Sequence, residues 1–197
     1  MSKPTPTSGI VLAGGRSSRF GSDKMAADYR GRPLLLHALE VVDSLSEETL
    51  LVISPEAEDP EGLPFGVRVV RDSEAFKGPL AGLSAGLARA TGDVAIVVGG
   101  DMPRLAPLVL ARMRRMLESS DTDAVALLEG DDVQPLPLLL RTRARPIVED
   151  LLRKGERSLR ALLASFSTVE FEEPEWRKLD PEGGSIVDVD SLDDLRK

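Results

Sequence analysis

Short apolar runs of strand length recur along the chain and alternate with longer segments whose apolar residues fall at helical spacing. This alternation restricts the fold more than any other feature. GIVLAGG ends in paired glycines and reads as a buried strand entering a turn, and PLLLHALEVVDSL then repeats apolar residues at helical spacing with Pro33 at its first turn. TLLVIS and VRVVRDS read as the second and third strands, GPLAGLSAGLARATG as a helix rich in small residues, and DVAIVVGGD as a fourth, wholly apolar strand. PLVLARMRRMLESS predicts a helix, DAVALLE a strand, PLPLLLR a short extended segment, RPIVEDLLRKG and SLRALLASF helices, and SIVDVDS a closing strand. Such an order implies right-handed βαβ units, hence an α/β protein with a mostly parallel sheet and helices on both faces. In that architecture ligands bind beyond the carboxyl ends of the strands, where strand order reverses. The residues just after strands are therefore the informative ones: Ala13 to Gly15, Ser54, Asp72 and Asp101.

With 197 residues, of which 42% are hydrophobic, the expectation is one domain spanning 1–197 with a single ordinary core. No apolar run approaches the roughly 18 residues of a membrane span, and the polar, proline-bearing start MSKPTPTSG predicts a cytoplasmic chain. The absence of cysteine removes disulfides, thiolate metal sites and thiol nucleophiles, and His37 is the only histidine. His37 follows three leucines in the first helix and reads as a structural or surface residue. A formal charge of −8 argues against nucleic acid and anionic membranes as partners, since both need an extended basic surface. The stretch PEAEDPEGLPFG reads as an exposed loop at the rim.

Against that acidic background, Arg16, Arg19, Lys24, Arg30 and Arg32 crowd one segment opposed only by Asp23 and Asp28, which suggests a locally held anion. Glycines at a strand end let backbone N–H groups approach a phosphate, and Arg19 and Lys24 can add charge-assisted contacts to it. A glycine-rich turn beside a solvated basic face is the plainer alternative. Neither G-x-x-x-x-G-K-[ST] nor G-x-G-x-x-G is present, so the loop is neither a P-loop nor a dinucleotide fingerprint. Asp101 ends the most apolar strand and is followed by Met102 and Pro103. One aspartate together with substrate phosphates suffices for Mg²⁺, though an aspartate there can also cap a turn.

LAGGRSSRFGSDK, RGRPLLLHAL, GPLAGLSAGL, GGDMP, KGERS and VDVDSLDDL, in that order from Gly9 to Leu195, resemble the molybdenum cofactor guanylyltransferases of the MobA type. The Gly-Gly and Asp-Lys form of the first motif resembles the guanylyl branch, whereas cytidylyl relatives usually show Ala-Ala-Gly and lack that aspartate. The resemblance implies a three-layer, Rossmann-like nucleotidyltransferase fold and transfer of GMP from GTP to the terminal phosphate of molybdopterin, with Mg²⁺ as cofactor. It also implies transient contact with proteins that make or receive the molybdenum cofactor. By the same resemblance Leu12, Ala13, Gly14 and Gly15 hold the nucleotide, Lys24 its phosphates, Asp72 the nucleotide, and Asp101 the metal, while in the implied reaction Arg19 and Lys24 would neutralise charge from the loop side. Gly78, Leu80 and Gly82 of GPLAG would line the base side, with tight helix packing as the alternative. Ser54 stands where the family often has an asparagine. The second substrate would meet Gln134 and Arg157, together with Asp188 and Asp190 where relatives usually carry asparagines. Asp190 is also the expected N-cap of a last helix, SLDDLRK. Two other readings accompany this one: a nucleotidyltransferase with a different nucleotide or phosphorylated acceptor, cytidylyl transfer to the same cofactor included, and a nonenzymatic nucleotide-binding protein.

Overall fold

The structure is a computed structural model and describes residues 5–14, 24–72, 78–191 and 194–196. Seven strands form one sheet: β1 (Thr7–Leu12), β4 (Glu48–Ile53), β5 (Arg68–Arg71), β6 (Val94–Gly99), β7 (Ala124–Glu129), β8 (Asp132–Arg141) and β9 (Thr168–Phe171), in the order β5-β4-β1-β6-β8-β7-β9. A two-stranded ribbon of β2 (Asp28–Tyr29) and β3 (Arg32–Pro33) stands apart. Only β8 runs against the others in the main sheet, so the sheet is mostly parallel. Strand order reverses at β1, which has β4 on one side and β6 on the other.

Helices cover both faces. Alternate residues of the central strands point opposite ways, and the pattern of burial follows. Val11, Leu51 and Val98 pack with α1 (Leu34–Asp43), α3 (Pro107–Glu118) and α6 (Glu173–Trp176). Their neighbours Ile10, Leu50 and Val97 pack with α2 (Pro79–Leu87), α4 (Arg145–Arg153) and α5 (Leu159–Leu163) on the other face. A strand buried on both sides has no polar face to display, which is why these runs are apolar without alternation. Among the described residues, no helix is long and apolar enough to cross a membrane.

Two glycines set how closely α2 lies on the sheet. A Cβ at Gly86 would come within 2.8 Å of Ile10 Cγ2, so α2 rests directly on β1, while one at Gly82 would only touch Leu12 and Val52 in ordinary contact. Gly78, just before the helix, has φ +87° and faces the Arg157 carbonyl, which accepts a hydrogen bond from Leu80 N at 3.2 Å.

The C-terminal third departs from expectation. SIVDVDS is not a strand: Gly184–Ile186 is a 3-10 turn and 187–190 has no regular structure. The sheet edge is filled instead by β9, from TVEF, parallel to β7. The short extended segment PLPLLLR is the last seven residues of a ten-residue strand. Pro135 and Pro137 sit where that strand pairs irregularly, between its two registers with β7, which is where a residue lacking N–H is tolerated. Trp176 of α6, fully buried, donates Nε1–H to Leu128 O at 2.8 Å and closes that end of the core.

Candidate active site

The carboxyl ends of the parallel strands form a row. Asp72 follows β5, Ser54 follows β4, Ala13 and Gly14 follow β1, and Gly100 and Asp101 follow β6. Backbone hydrogen bonds tie them together: Asp72 N to Ile53 O at 3.0 Å, Ala13 N to Val52 O at 2.8 Å, and Gly100 N to Leu12 O at 2.9 Å. A Cβ on Gly14 would only touch the Ser54 backbone at 3.5 Å, so nothing among the described residues requires glycine there. Its bare backbone leaves the crevice floor open to a ligand. Leu12 closes β1 beneath it.

Lys24 lies in a 3-10 turn, Lys24–Ala26, and crosses the mouth of this crevice. Its Nζ donates to Asp101 Oδ2 at 2.9 Å and to Asp190 Oδ1 at 3.2 Å. The residue is only 8% exposed. Burial alone would pull the ammonium down, but the bonds and charges of Asp101 and Asp190 outweigh it and hold Lys24 above its ordinary value. The lysine is therefore a fixed cation at the end of β6.

Asp101 owes its position to its neighbours. A side chain at Gly99 would overlap Asp101 Oδ1, and one at Gly100 would come within 2.9 Å of Leu35 and 3.1 Å of Met25. The pair of glycines thus lets the chain turn tightly after β6 and the carboxylate fold back over it. On its other side the Asp101 carbonyl accepts Val189 N at 2.9 Å. Val189 is buried in a small cluster with Tyr29 and Leu34, and its two neighbours are Asp188 and Asp190. Carboxylate oxygens of Asp101, Asp188 and Asp190 all lie within 4.8 Å of one another. Desolvation, then the charges of Asp190 and Asp101, push the Asp188 carboxyl up. An all-oxygen, anionic donor set of this kind suits a hard cation such as Mg²⁺.

The remaining sequence candidates divide. Asp72 Oδ1 is buried and has no hydrogen-bond partner among the described residues, an acceptor that a ligand's donor could meet. Gln134 is the third residue of β8, at the Asp101 end of the sheet, and donates to Glu129 Oε2 at 3.1 Å. Arg157 abuts Gly78 through its backbone, and its side chain lines a groove of about 680 Å³ between β5, α2 and α4, with Arg71, Arg89 and Arg145. Leu80 and Gly82 are packing residues in this structure: Leu80 is fully buried in the core and Gly82 lies against β1 and β4, so what they offer a ligand is the position of α2. Gly15 and Arg19 lie outside the described residues. Asp190 was expected at a helix N-cap. Its carboxylate reaches Lys24, and the described bonds at the start of the terminal 3-10 turn run from Ser191 to Asp194, at 2.6 and 3.0 Å. His37 holds Tyr29 O at 2.9 Å and meets the Tyr29 ring edge-on, a structural position. Sequence reasoning did not foresee Val189. The alternation in VDVD was its signal, and it marks a segment pinned by one valine rather than a strand.

Comparisons with known proteins bear on the family and the fold. The family model for the MobA-like NTP transferase domain matches residues 9–170. A molybdenum cofactor guanylyltransferase of Pseudomonas putida (strain GB-1) is 36% identical over 160 residues, covering 80% of this chain and 82% of its own. One from Syntrophotalea carbinolica is 31% identical over 190 residues, 96% of this chain and 89% of its own. Among solved structures, molybdopterin-guanine dinucleotide biosynthesis protein A from Archaeoglobus fulgidus superposes with a TM-score of 0.79 at 24% identity, covering 96% of this chain and 95% of that one. A 2-C-methyl-D-erythritol 4-phosphate cytidylyltransferase from Thermus thermophilus shares the fold at a TM-score of 0.69 and 19% identity, over 95% and 94% of the two chains.

Proposed function

Because the chain belongs to the MobA-like NTP transferase family, we propose that it transfers GMP from GTP to the terminal phosphate of molybdopterin. A phosphate oxygen of the acceptor would form a bond to the α-phosphorus, and the bond to the β-phosphate would break with its electron pair leaving on pyrophosphate. The names of the relatives at 31–36% identity support the guanylyl and molybdenum-cofactor parts of this reading. The observation that carries it is the union of Lys24 with Asp101 at the strand-order reversal, a fixed cation beside a carboxylate where a phosphate chain would lie.

In this reading the nucleoside lies along the row from Asp72 past Ser54 to Gly14, with a nucleoside N–H or O–H supplying the donor that Asp72 Oδ1 lacks. The phosphates run toward Lys24. Asp101 would hold Mg²⁺, whose chemistry would be to neutralise charge on the reacting phosphates. The attacking phosphate is already ionised near neutral pH, so the residues need to orient and neutralise rather than to take a proton. This accords with a crevice whose described polar side chains are carboxylates, serine, glutamine and lysine. Asp188 and Asp190 repel an anionic acceptor phosphate but can accept hydrogen bonds from N–H groups of a pterin ring. Proteins that supply or receive the cofactor would meet the chain only transiently.

The test is incubation with α-labelled GTP, Mg²⁺ and molybdopterin, following pyrophosphate and labelled dinucleotide, with Lys24→Ala and Asp101→Ala alongside. Turnover that falls at least about 10²-fold in both variants is the expected result. Turnover with CTP in preference to GTP would move the reading to cytidylyl transfer, and no turnover with any nucleotide would overturn it.

A further inference from the structure

Resting on the reading that a nucleotide's phosphates come to Lys24, the geometry points to a latch: Asp190 holds the Lys24 ammonium and so closes the Asp188–Asp190 segment over the phosphate end of the crevice until a nucleotide displaces it. In this conformation Lys24 Nζ gives hydrogen bonds to two carboxylates at 2.9 and 3.2 Å and the residue is 8% exposed. An incoming phosphate therefore meets an ammonium with at least two of its three N–H donors already turned to carboxylates.

These two carboxylates are unequal. Asp101 is the nearer, its side chain is 24% exposed, and it follows a strand, β6, that is buried throughout. Asp190 is the farther, its side chain is 64% exposed, and it sits on irregular backbone. A half-exposed ion pair of this kind biases an equilibrium by no more than about fivefold, so it can be broken by a ligand that binds at micromolar affinity. Asp190 is also a negative charge facing the place where further negative charge would arrive, which favours its departure. Asp190 is therefore the contact that yields.

The segment has two further holds, the Val189 side chain among Tyr29 and Leu34 and the Val189 N–H on Asp101 O. They keep the segment tethered at its middle while the carboxylate swings. The consequence is an order of events: nucleotide first, which frees Asp190 and with it Asp188, and acceptor second, entering where the segment has loosened. Asp190 is thus a positioning residue, acting through Lys24.

The test follows backbone hydrogen exchange of the 187–191 segment in the full chain, together with GTP titrations of wild type, Asp190→Ala, Asp190→Asn and Lys24→Ala. Asp190→Ala should speed exchange in that segment several-fold while leaving β6 unchanged, and saturating GTP should speed it in wild type but add nothing in Asp190→Ala. GTP affinity should rise about fivefold in Asp190→Ala and less in Asp190→Asn, whose amide oxygen still accepts from Lys24. Unaltered exchange in Asp190→Ala would overturn the latch without reference to any nucleotide. So would an equal gain in GTP affinity when Asp190→Ala is placed in a Lys24→Ala background, because that gain would be simple removal of charge. A wild-type chain that fails to bind GTP would overturn the nucleotide reading, and the exchange arm tells that failure apart from failure of the latch.

Discussion

At the scale of single residues, the site depends on what is missing as much as on what is present. Asp101 can fold back at the end of β6 only because Gly99 has no side chain, since a Cβ there would overlap Asp101 Oδ1. Gly99→Ala should therefore displace the carboxylate while disturbing little else, because its other near neighbour is the flexible Met102 side chain. A shift of about an ångström in a positioned group costs on the order of 10²-fold in rate. The expected outcome is a fall of that size in pyrophosphate release, with a melting temperature within a few degrees of wild type. A melting temperature that collapses instead would show Gly99 to be a packing residue. Gly14 is the opposite case, with room for a methyl group in ordinary contact. Its sequence signal, paired glycines after a strand, left a glycine-rich turn as the plainer alternative, because spacing alone does not say what lies over the bare backbone.

At the scale of elements, β1, β4 and the turn before β6 are tied at the end of the sheet opposite the crevice by one carboxylate. Glu48 accepts from Ser8 Oγ at 2.7 Å, from Thr91 N at 2.6 Å, from Thr91 Oγ1 at 2.7 Å and from Arg68 Nη1 at 2.9 Å. Burial alone would push its pKa up, but these bonds outweigh it and hold the carboxyl below its ordinary value. A depressed acid contributes stability that is fully present above the unfolded-state value and is lost as pH falls through the folded one. Glu48→Gln should therefore cost about 1–3 kcal/mol in urea unfolding at neutral pH. The difference from wild type should shrink as the pH drops below the ordinary carboxylate range, and a difference independent of pH would assign the loss to packing. The elements of this half were legible because continuous apolar runs and helical spacing have one economical arrangement. The C-terminal third was less so: in VDVD, alternation reported one valine buried against Tyr29 and Leu34 between two carboxylates at the crevice, a pattern that spacing cannot distinguish from a half-buried strand. TVEF passed unnoticed because an edge strand of four residues carries little periodicity. The Lys24–Asp190 pair, 166 positions apart, left no local trace at all.

At the scale of the whole molecule, the sheet separates two tasks by its two ends. The carboxyl ends of the parallel strands carry Asp72, Ser54, Gly14 and Asp101, and the opposite end carries Glu48 with its bonds to Ser8, Thr91 and Arg68. β8 runs against its neighbours, so its last residue, Arg141, lies at that opposite end. The Arg141 guanidinium donates to Leu117 O at 2.8 Å, Ser120 O at 2.6 Å and Thr122 O at 3.0 Å, satisfying carbonyls at and just past the end of α3 and placing a positive charge where the helix dipole is negative. Arg141→Ala leaves those acceptors without their partner and should cost about 2 kcal/mol, which in a chain of this size is a fall of about 5 °C in melting temperature. Turnover at 25 °C, well below the transition, should be unchanged in both kcat and KM. A change in KM for the nucleotide would mean that strain at one end of the sheet reaches the other, and the division of labour between the ends would then fail.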